Sequence, residues 1–215
     1  MPTHSTAATE RARLCDTFER VGPDAPTLCN PWLTRDLAAH LVLREHRPDL
    51  VVGMWVPLLS ERLEREQSDL ATNTDWPDLV DRVRSGPPVW HPTQIGLIDE
   101  AVNTLEFFIH HEDVLRAEPG FTPRTLDAAT EEGVWAALKR MAKLLFRKVD
   151  VGLVLAAPGH GRIAVKGPTK RGSVTVTAAP AELALLAFGR RDVADVDIRG
   201  SKEAVRVLES APLGI

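Results

Sequence analysis

The chain has 215 residues, 44% of them apolar, and its 26 basic and 30 acidic residues give a formal net charge of −4. That length suits one large domain or two small ones with a sizeable core. Interspersed charges of both signs argue against a general nucleic-acid binder. No run approaches the eighteen apolar residues of a membrane span, and the first residues do not resemble a signal peptide.

The two cysteines, Cys15 and Cys29, provide neither a disulfide framework nor a Cys-x-x-Cys metal motif. We therefore expect a reducing, cytoplasmic location. No adjacent histidine or basic partner supports Cys15 as a nucleophile, so we interpret it as a packing residue. Tyrosine is absent, which excludes a tyrosine general acid or base.

The first half of the chain is predicted to be helical. Helix-breaking Gly and Pro residues separate segments in which apolar residues recur at helical spacing. Thr34 is the predicted N-cap of the helix that carries His40, and Pro48 marks a kink or restart after it. The predicted helical segments are about 6–20, 34–47, 50–67, 76–84, 96–117 and 126–149, with a loop signal at 85–88.

After residue 150 the pattern changes to short β-branched runs mixed with helices. Strands are predicted over 151–157, 162–166, 173–177 and 193–198, and helices over 181–188 and 201–210. We therefore predict an α+β protein with two domains, a helical bundle over 1–150 and a small α+β domain over 151–215.

A polar stripe runs along an otherwise apolar predicted helix. Its members, Asp99, Asn103, Glu106, His110 and Asp113, follow one another at steps of four, three, four and three. Those steps place all five on one helical face. A carboxylate and an imidazole four residues apart can bind one metal ion from the same side, so Glu106 and His110 are candidate ligands.

His40 is the best candidate for a third ligand. It lies three residues from both Leu37 and Leu43, which indicates the buried side of its helix. Two facing helices of a bundle would complete a site of two histidines and one carboxylate. Three protein ligands leave a position for water or substrate, as in catalytic zinc sites. Asp113, one turn beyond His110, could receive the other imidazole N–H or assist a proton transfer.

Simpler interpretations exist for several of these residues. A Glu-x-x-x-His pair on a helix is more often a solvated face or an ion pair within the helix. His111 points away from the stripe and is predicted to lie on the surface, and His91 is predicted to be a structural loop residue. Lys139, Lys143 and Arg147, at steps of four, are predicted to form a solvated helix face.

Three segments carry a family resemblance. Residues 30–41, Asn-Pro-Trp-Leu-Thr-Arg-Asp-Leu-Ala-Ala-His-Leu, match the pattern Trp-x-x-x-Asp-Leu-x-x-His-Leu, and residues 106–113 match Glu-x-x-x-His-x-x-Asp. These patterns resemble the two metal segments of the mycothiol-dependent maleylpyruvate isomerase family, which belongs to the DinB-like metal-binding bundles. Residues 174–190 resemble its C-terminal domain, which has a sterol-carrier-like fold. The closest likeness is to an uncharacterised metal-binding branch, so the maleylpyruvate substrate is not transferred.

The resemblance implies a DinB-like four-helix bundle followed by a sterol-carrier-like C-terminal α/β domain. It implies that His40, Glu106 and His110 bind a divalent metal, with zinc the usual ion. It also implies a catalytic arginine at the end of a helix of the C-terminal domain, matched here by Arg190. An arginine at that place is also a common surface residue favoured by the helix dipole.

A bound divalent metal lowers the pKa of a thiol and polarises carbonyl groups. By resemblance, the thiol of mycothiol would bind at the open position and attack an electrophilic carbon. The predicted function is therefore a mycothiol-dependent transferase or isomerase that acts on a small electrophile, as a monomer or homodimer. Arg190 could hold a substrate carboxylate, and with Asp113 it completes the predicted catalytic residues.

Other functions remain open from the sequence. The protein could be a non-enzymatic metal sensor or store, or a small-molecule carrier with an apolar pocket in its C-terminal domain. It could also hydrolyse a substrate with metal-bound hydroxide, with Asp113 or Glu112 as the base. Two histidines and a glutamate suit iron, nickel and manganese as well as zinc.

Overall fold

The computed structural model describes residues 5–47, 57–86 and 97–214. Within these ranges the chain forms eight α-helices and one four-stranded sheet, which confirms the predicted α+β class. The helices are α1 (Thr6–Val21), α2 (Thr34–His46), α3 (Pro57–Asn73), α4 (Trp76–Ser85), α5 (Leu97–Leu115), α6 (Ala128–Leu145), α7 (Pro180–Ala187) and α8 (Lys202–Ser210). The strands are β1 (Gly152–Ala157), β2 (Gly161–Lys166), β3 (Ser173–Thr177) and β4 (Asp197–Gly200), with a 3₁₀ helix at Arg191–Val193.

Some predicted features lie outside the described residues. The beginning of the segment predicted over 50–67 precedes Pro57, where α3 starts. The loop that contains His91 and the side chain of Asp99 also lie outside them. The predictions for these parts of the chain therefore stay predictions.

The first compact unit comprises Met1–Asp99 and His110–Pro123. Helix α1 begins where the Ser5 hydroxyl accepts a hydrogen bond from the Ala8 amide at 3.2 Å, an N-cap that satisfies one unpaired amide of the first turn. Within this unit, α1 packs against α4, and α2 packs against both α3 and α4. Leu14, Phe18 and Leu79 are fully buried and belong to the apolar core of this unit.

A buried ion pair connects three helices of the first unit. Arg11 of α1 donates from Nη1 to Glu45 Oε2 of α2 at 2.6 Å, and its Nη2 donates to the other carboxylate oxygen. The same Nη1 donates to the carbonyl oxygen of Val83 in α4 at 2.8 Å. The side chain of Glu45 is only 4% exposed, so the guanidinium compensates a carboxylate that is almost removed from water.

The prediction that His111 lies on the surface is wrong. Its Nδ1 lies 3.2 Å from Glu10 Oε2 and its Nε2 lies 2.9 Å from Thr17 Oγ1, and the residue is 4% exposed. Arg13 donates to the other oxygen of Glu10 at 2.9 Å. Glu10 and Thr17 of α1 thus supply the polar partners that the His111 imidazole requires when it is buried.

Cys15 is buried, as its interpretation as a packing residue predicts, and its Sγ lies 3.9 Å from the Val80 carbonyl oxygen. Burial raises the pKa of its thiol from 9.0 to about 12, because the thiolate would lose its hydration. The folded state therefore holds the thiol proton more tightly than the unfolded state does. This tighter binding stabilises the folded state relative to the unfolded state. Its contribution to the free energy of unfolding is complete below about pH 9 and is lost as the pH rises towards 12.

We expect this proton linkage to distinguish the wild type from Cys15→Ser, whose hydroxyl does not titrate in this range. The free energy of unfolding of the wild type, relative to that of the variant, should decrease between pH 9 and pH 11. Urea unfolding at several pH values measures this difference. Parallel pH profiles for the two proteins would contradict the expectation.

The second unit comprises Glu100–Ile109 and Arg124–Ile215. Its strands lie in the order β2-β1-β3-β4, with β1 and β3 parallel and the other two pairs antiparallel. Leu155 of β1 pairs with Val176 of β3, and both are completely buried on the face that packs into the core. The core also contains Trp135 of α6, whose Nε1 donates to the His160 carbonyl oxygen at 2.9 Å.

Strands β1 to β3 begin and end within one residue of their predicted positions, whereas the fourth does not. The predicted strand at 193–198 is replaced by the 3₁₀ helix and by β4, which starts at Asp197. One reason is local: the Asp195 amide donates to Glu182 Oε2 at 2.9 Å rather than to a neighbouring strand.

Helix α6, which the sequence analysis assigns to the first 150 residues, contributes Trp135 and Leu138 to the core of the second unit. A domain boundary separates parts of a chain that fold independently, which the packing of α6 does not test. The boundary at residue 150 therefore stays a prediction. Lys139 and Lys143 are exposed on α6, in agreement with a solvated face, and Arg147 is exposed in the turn that follows the helix.

Candidate metal centre

Helix α2 holds His40 in place through a well-anchored first turn. The Leu33 amide donates to Asp36 Oδ2 at 2.9 Å, and the Thr34 hydroxyl donates to the Gly22 carbonyl oxygen at 2.6 Å. His40 lies one and a half turns further on, beside the completely buried Leu41, and is itself only 7% exposed. Its imidazole is therefore fixed by a rigid and buried stretch of helix.

Helix α5 carries the other two predicted ligands. Leu105, Phe108 and Ile109 are buried, and they join the core of the second unit. This apolar face orients the polar stripe, so that Glu106 is half-buried and His110 is 8% exposed one turn later. Both side chains project from one continuous helix, which suits ligands that must stay in register.

The structure brings His40, Glu106 and His110 together. One candidate ligand atom from each lies within 4.8 Å of the others. The imidazole rings of His40 and His110 lie 5.5 Å apart between centroids, at an angle of 74°. Donor atoms around a tetrahedral zinc ion are about 3.5 Å apart, so adjustments on the order of 1 Å would bring these atoms to bonding distance. Two imidazole nitrogens and a carboxylate oxygen therefore fit a divalent ion.

Asp113 lies directly behind His110. Its Oδ2 is 2.9 Å from His110 Nδ1, and the side chain is completely buried. A carboxylate in this position favours the tautomer with the proton on Nδ1 and the lone pair on Nε2, an arrangement typical of metal-binding histidines. The geometry agrees with the expected acceptor of the second imidazole N–H, while a catalytic role for Asp113 stays a prediction.

A short loop before α2 contacts both candidate histidines, and these contacts were not predicted from the sequence. Cys29 Sγ lies 3.0 Å from Asp113 Oδ2 and 3.7 Å from His110 Nδ1, and the ring of Trp32 lies 5.0 Å from that of His40. The Leu28 amide donates to the Asp113 carbonyl oxygen at 3.0 Å, which ties the loop to α5. Trp32 belongs to the motif that contains His40, whereas no spacing in the sequence links Cys29 to residues more than eighty positions away.

The remaining predicted residues have clear local environments. Arg190 follows α7, and its Nη1 donates to the Phe188 carbonyl oxygen at 2.7 Å. Glu112, the alternative base, accepts a hydrogen bond from Arg116 Nε at 2.7 Å and is buried. A catalytic role for Arg190 and a basic role for Glu112 stay predictions.

We expect Asp113→Asn to weaken binding of a divalent ion by about 10- to 100-fold, because an amide holds the His110 tautomer less firmly than a carboxylate does. Mn²⁺ is a suitable probe, since thiols compete poorly for it, and the free ion can be counted by electron paramagnetic resonance. Asp127→Asn is the matched control, because Asp127 caps α6 by accepting from the Thr130 amide, a task that Asn also performs. Equal Mn²⁺ affinity for both variants would contradict the role of Asp113.

The fold and the donor set define an α+β protein with a candidate metal centre of two histidines and one glutamate. No family model matches the chain, and no curated protein matches it. Among solved structures, the chain is similar to one titled the crystal structure of the mycothiol-dependent maleylpyruvate isomerase. The TM-score is 0.53 at 14% sequence identity, and the match covers 89% of this chain and 88% of that one. At this identity the likeness is one of fold.

No helix in the described ranges has both the length and the apolar character needed to cross a membrane.

Proposed function

We propose that this protein is a metal-dependent transferase or isomerase that uses a small thiol, with mycothiol the first candidate, to attack an electrophilic substrate. The ion is held by His40, Glu106 and His110, and zinc is the first ion to test. The observation that carries the proposal is the convergence of these three side chains within 4.8 Å. The similarity in fold to a mycothiol-dependent isomerase supports the choice of a thiol.

The proposal extends to the finer architecture. We assign the N-terminal helices to a DinB-like four-helix bundle and the C-terminal elements to a sterol-carrier-like fold, with a boundary near residue 150. Support comes from the first unit, in which α1 packs against α4 and α2 packs against α3 and α4, and from the sheet with α7 and α8 in the other unit. A cytoplasmic location, no nucleic-acid partner and a monomeric or homodimeric state belong to the same proposal.

The bound ion would supply Lewis acidity and would stabilise a thiolate at neutral pH. The chain's own residues perform the other tasks. Asp113 Oδ2 holds the proton at His110 Nδ1 and so keeps the imidazole in one orientation. Trp32 lies against the ring of His40 and excludes water from that side. Arg190 is assigned to a substrate carboxylate, because a guanidinium can bind both oxygens at once.

A turnover experiment tests the proposal. Zinc-reconstituted protein is mixed with mycothiol or another small thiol and an α,β-unsaturated carbonyl compound, and loss of the electrophile is followed by absorbance. The wild type should require both ion and thiol, and Glu106→Gln should lose the activity. His46→Ala is the matched control, because His46 also lies on α2 but bonds to the Val42 carbonyl oxygen at 2.9 Å. Turnover that persists without thiol, or in Glu106→Gln, would overturn the proposal.

A small-molecule carrier is the second candidate function. The observation in its favour is a groove of about 630 Å³ at one end of the sheet, with Ala156 and Thr175 on its floor. Ala157 and Pro158 line it together with the charged Arg162, Asp197 and Arg199, so it suits a small ligand with both apolar and charged parts. A carrier would keep its ligand affinity in His40→Ala, whereas a non-enzymatic metal protein would bind ion but no thiol.

A further inference from the structure

We infer that Cys29, His110 and Asp113 form a second metal site, which takes a thiophilic divalent ion such as Zn²⁺ or Cd²⁺. One candidate ligand atom from each residue lies within 4.8 Å of the others, as in the His40 set. The two sets share His110 and otherwise use different residues. The evidence for this site involves neither His40 nor Glu106, so the inference does not rest on the proposed enzymatic function.

The distances within the cluster are close to those of a bound ion. In a tetrahedral zinc site with bonds of about 2.3 Å to sulfur and 2.0 Å to nitrogen or oxygen, the donor atoms lie about 3.5 Å apart. Here Cys29 Sγ is 3.7 Å from His110 Nδ1 and 3.0 Å from Asp113 Oδ2, and the nitrogen and oxygen are 2.9 Å apart. Expansion of two contacts by about 0.5 Å would therefore admit an ion.

The surroundings favour this arrangement. His110 and Asp113 are buried and Cys29 is half-buried, so the site has one open side through which an ion can enter. Helix α5 fixes His110 and Asp113 one turn apart, and the Leu28 amide fixes the loop against the Asp113 carbonyl oxygen at 3.0 Å. The ligands are thus held before the ion arrives, which lowers the cost of binding.

A sulfur, a nitrogen and an oxygen donor select a different ion from the His40 set. Thiolate ligands favour zinc and cadmium over manganese and magnesium, whereas two imidazoles and a carboxylate accept several of these ions. On binding, the Cys29 thiol releases its proton to the buffer, and the proton on His110 Nδ1 moves to Nε2. That change removes the Nε2 lone pair from the first set, so the two sites compete for His110.

Cobalt provides the test, because a thiolate bound to Co²⁺ produces a charge-transfer absorption in the near ultraviolet. In Glu106→Ala, where the first site is disabled, added Co²⁺ should produce this absorption. It should disappear in Glu106→Ala/Cys29→Ser and remain in Glu106→Ala/Cys15→Ser, the matched control with the buried thiol replaced. The Cd²⁺ affinity should fall by at least about tenfold on loss of Cys29. Absorption that survives Cys29→Ser, or a Glu106→Ala protein that binds no cobalt, would overturn the inference.

A measurement on the unmutated protein avoids any effect of substitution on folding. Stoichiometric Cd²⁺ should slow the alkylation of Cys29 by iodoacetamide, as measured by mass spectrometry of the modified peptides. A Cys29 alkylation rate that is the same with and without Cd²⁺ would overturn the inference. The two proposals can fail separately, because the cobalt absorption is read in Glu106→Ala, where the first site is disabled, and the proposed thiol-dependent turnover does not use Cys29.

Discussion

Replacing Glu106 by alanine in a Cys29→Ser background should lower the bound zinc from about one ion per chain to nearly none. The background removes the thiol-containing site, so only the His40 set is measured. Glu106 supplies the only carboxylate of that set, and two imidazoles alone hold zinc weakly. His40→Ala in the same background should have the same effect. Elemental analysis of protein prepared without a histidine tag gives the ratio of ion to chain.

His46→Ala provides the matched control in the same background. It removes a partly buried histidine from α2, but one whose Nδ1 donates to the Val42 carbonyl oxygen of its own helix. Its zinc content should equal that of Cys29→Ser alone. Retention of zinc by Glu106→Ala, or equal loss in all three variants, would show that the polar stripe does not form a metal site.

Replacing Arg11 by methionine should lower the free energy of unfolding by about 3–5 kcal/mol. The substitution keeps much of the side-chain volume but leaves the Glu45 carboxylate, which is 4% exposed, without its bidentate guanidinium. It also removes the hydrogen bond to the Val83 carbonyl oxygen, so α1, α2 and α4 lose their common polar contact. Urea unfolding followed by circular dichroism measures the change.

Arg20→Met is the matched control, because it breaks an ion pair of the same kind at the surface. Arg20 and Glu118 are 54% and 38% exposed, although the hydrogen bond from Arg20 lowers the pKa of Glu118. Water screens this pair, and its loss should cost about 1 kcal/mol or less. Equal destabilisation by both substitutions would contradict the special role of the buried pair.

Local patterns predicted much of this fold. Alternating β-branched residues located β3 at its observed bounds, and helical spacing placed Glu106 and His110 on one face of α5. The same spacing indicated that His40 is buried. These features depend on the order of a few neighbouring residues, so they could be predicted from the sequence alone.

Features that depend on distant packing were not predicted. The burial of His111 requires Glu10 and Thr17 of α1, about a hundred residues earlier in the chain. Helical spacing within α5 does not show that a residue outside its apolar stripe is buried. Cys29 reaches Asp113 only because its loop is bonded to α5. The late start of β4 depends on the hydrogen bond from the Asp195 amide to the Glu182 carboxylate, and the alternation of residues in a strand does not reveal such a bond.

The loop before α2 also provides an optical probe of the metal centre. Trp32 lies 5.0 Å from the His40 ring, at an angle of 39°, while Trp76 packs edge-on against Phe18 and Trp135 lies within the core of the other unit. An indole in contact with a ligand imidazole changes its fluorescence when that imidazole gains a positive neighbour. The difference in emission between the wild type and Trp32→Phe therefore isolates the signal of Trp32, which among the tryptophans of the described ranges is the one beside His40, and titrations can be read without labels.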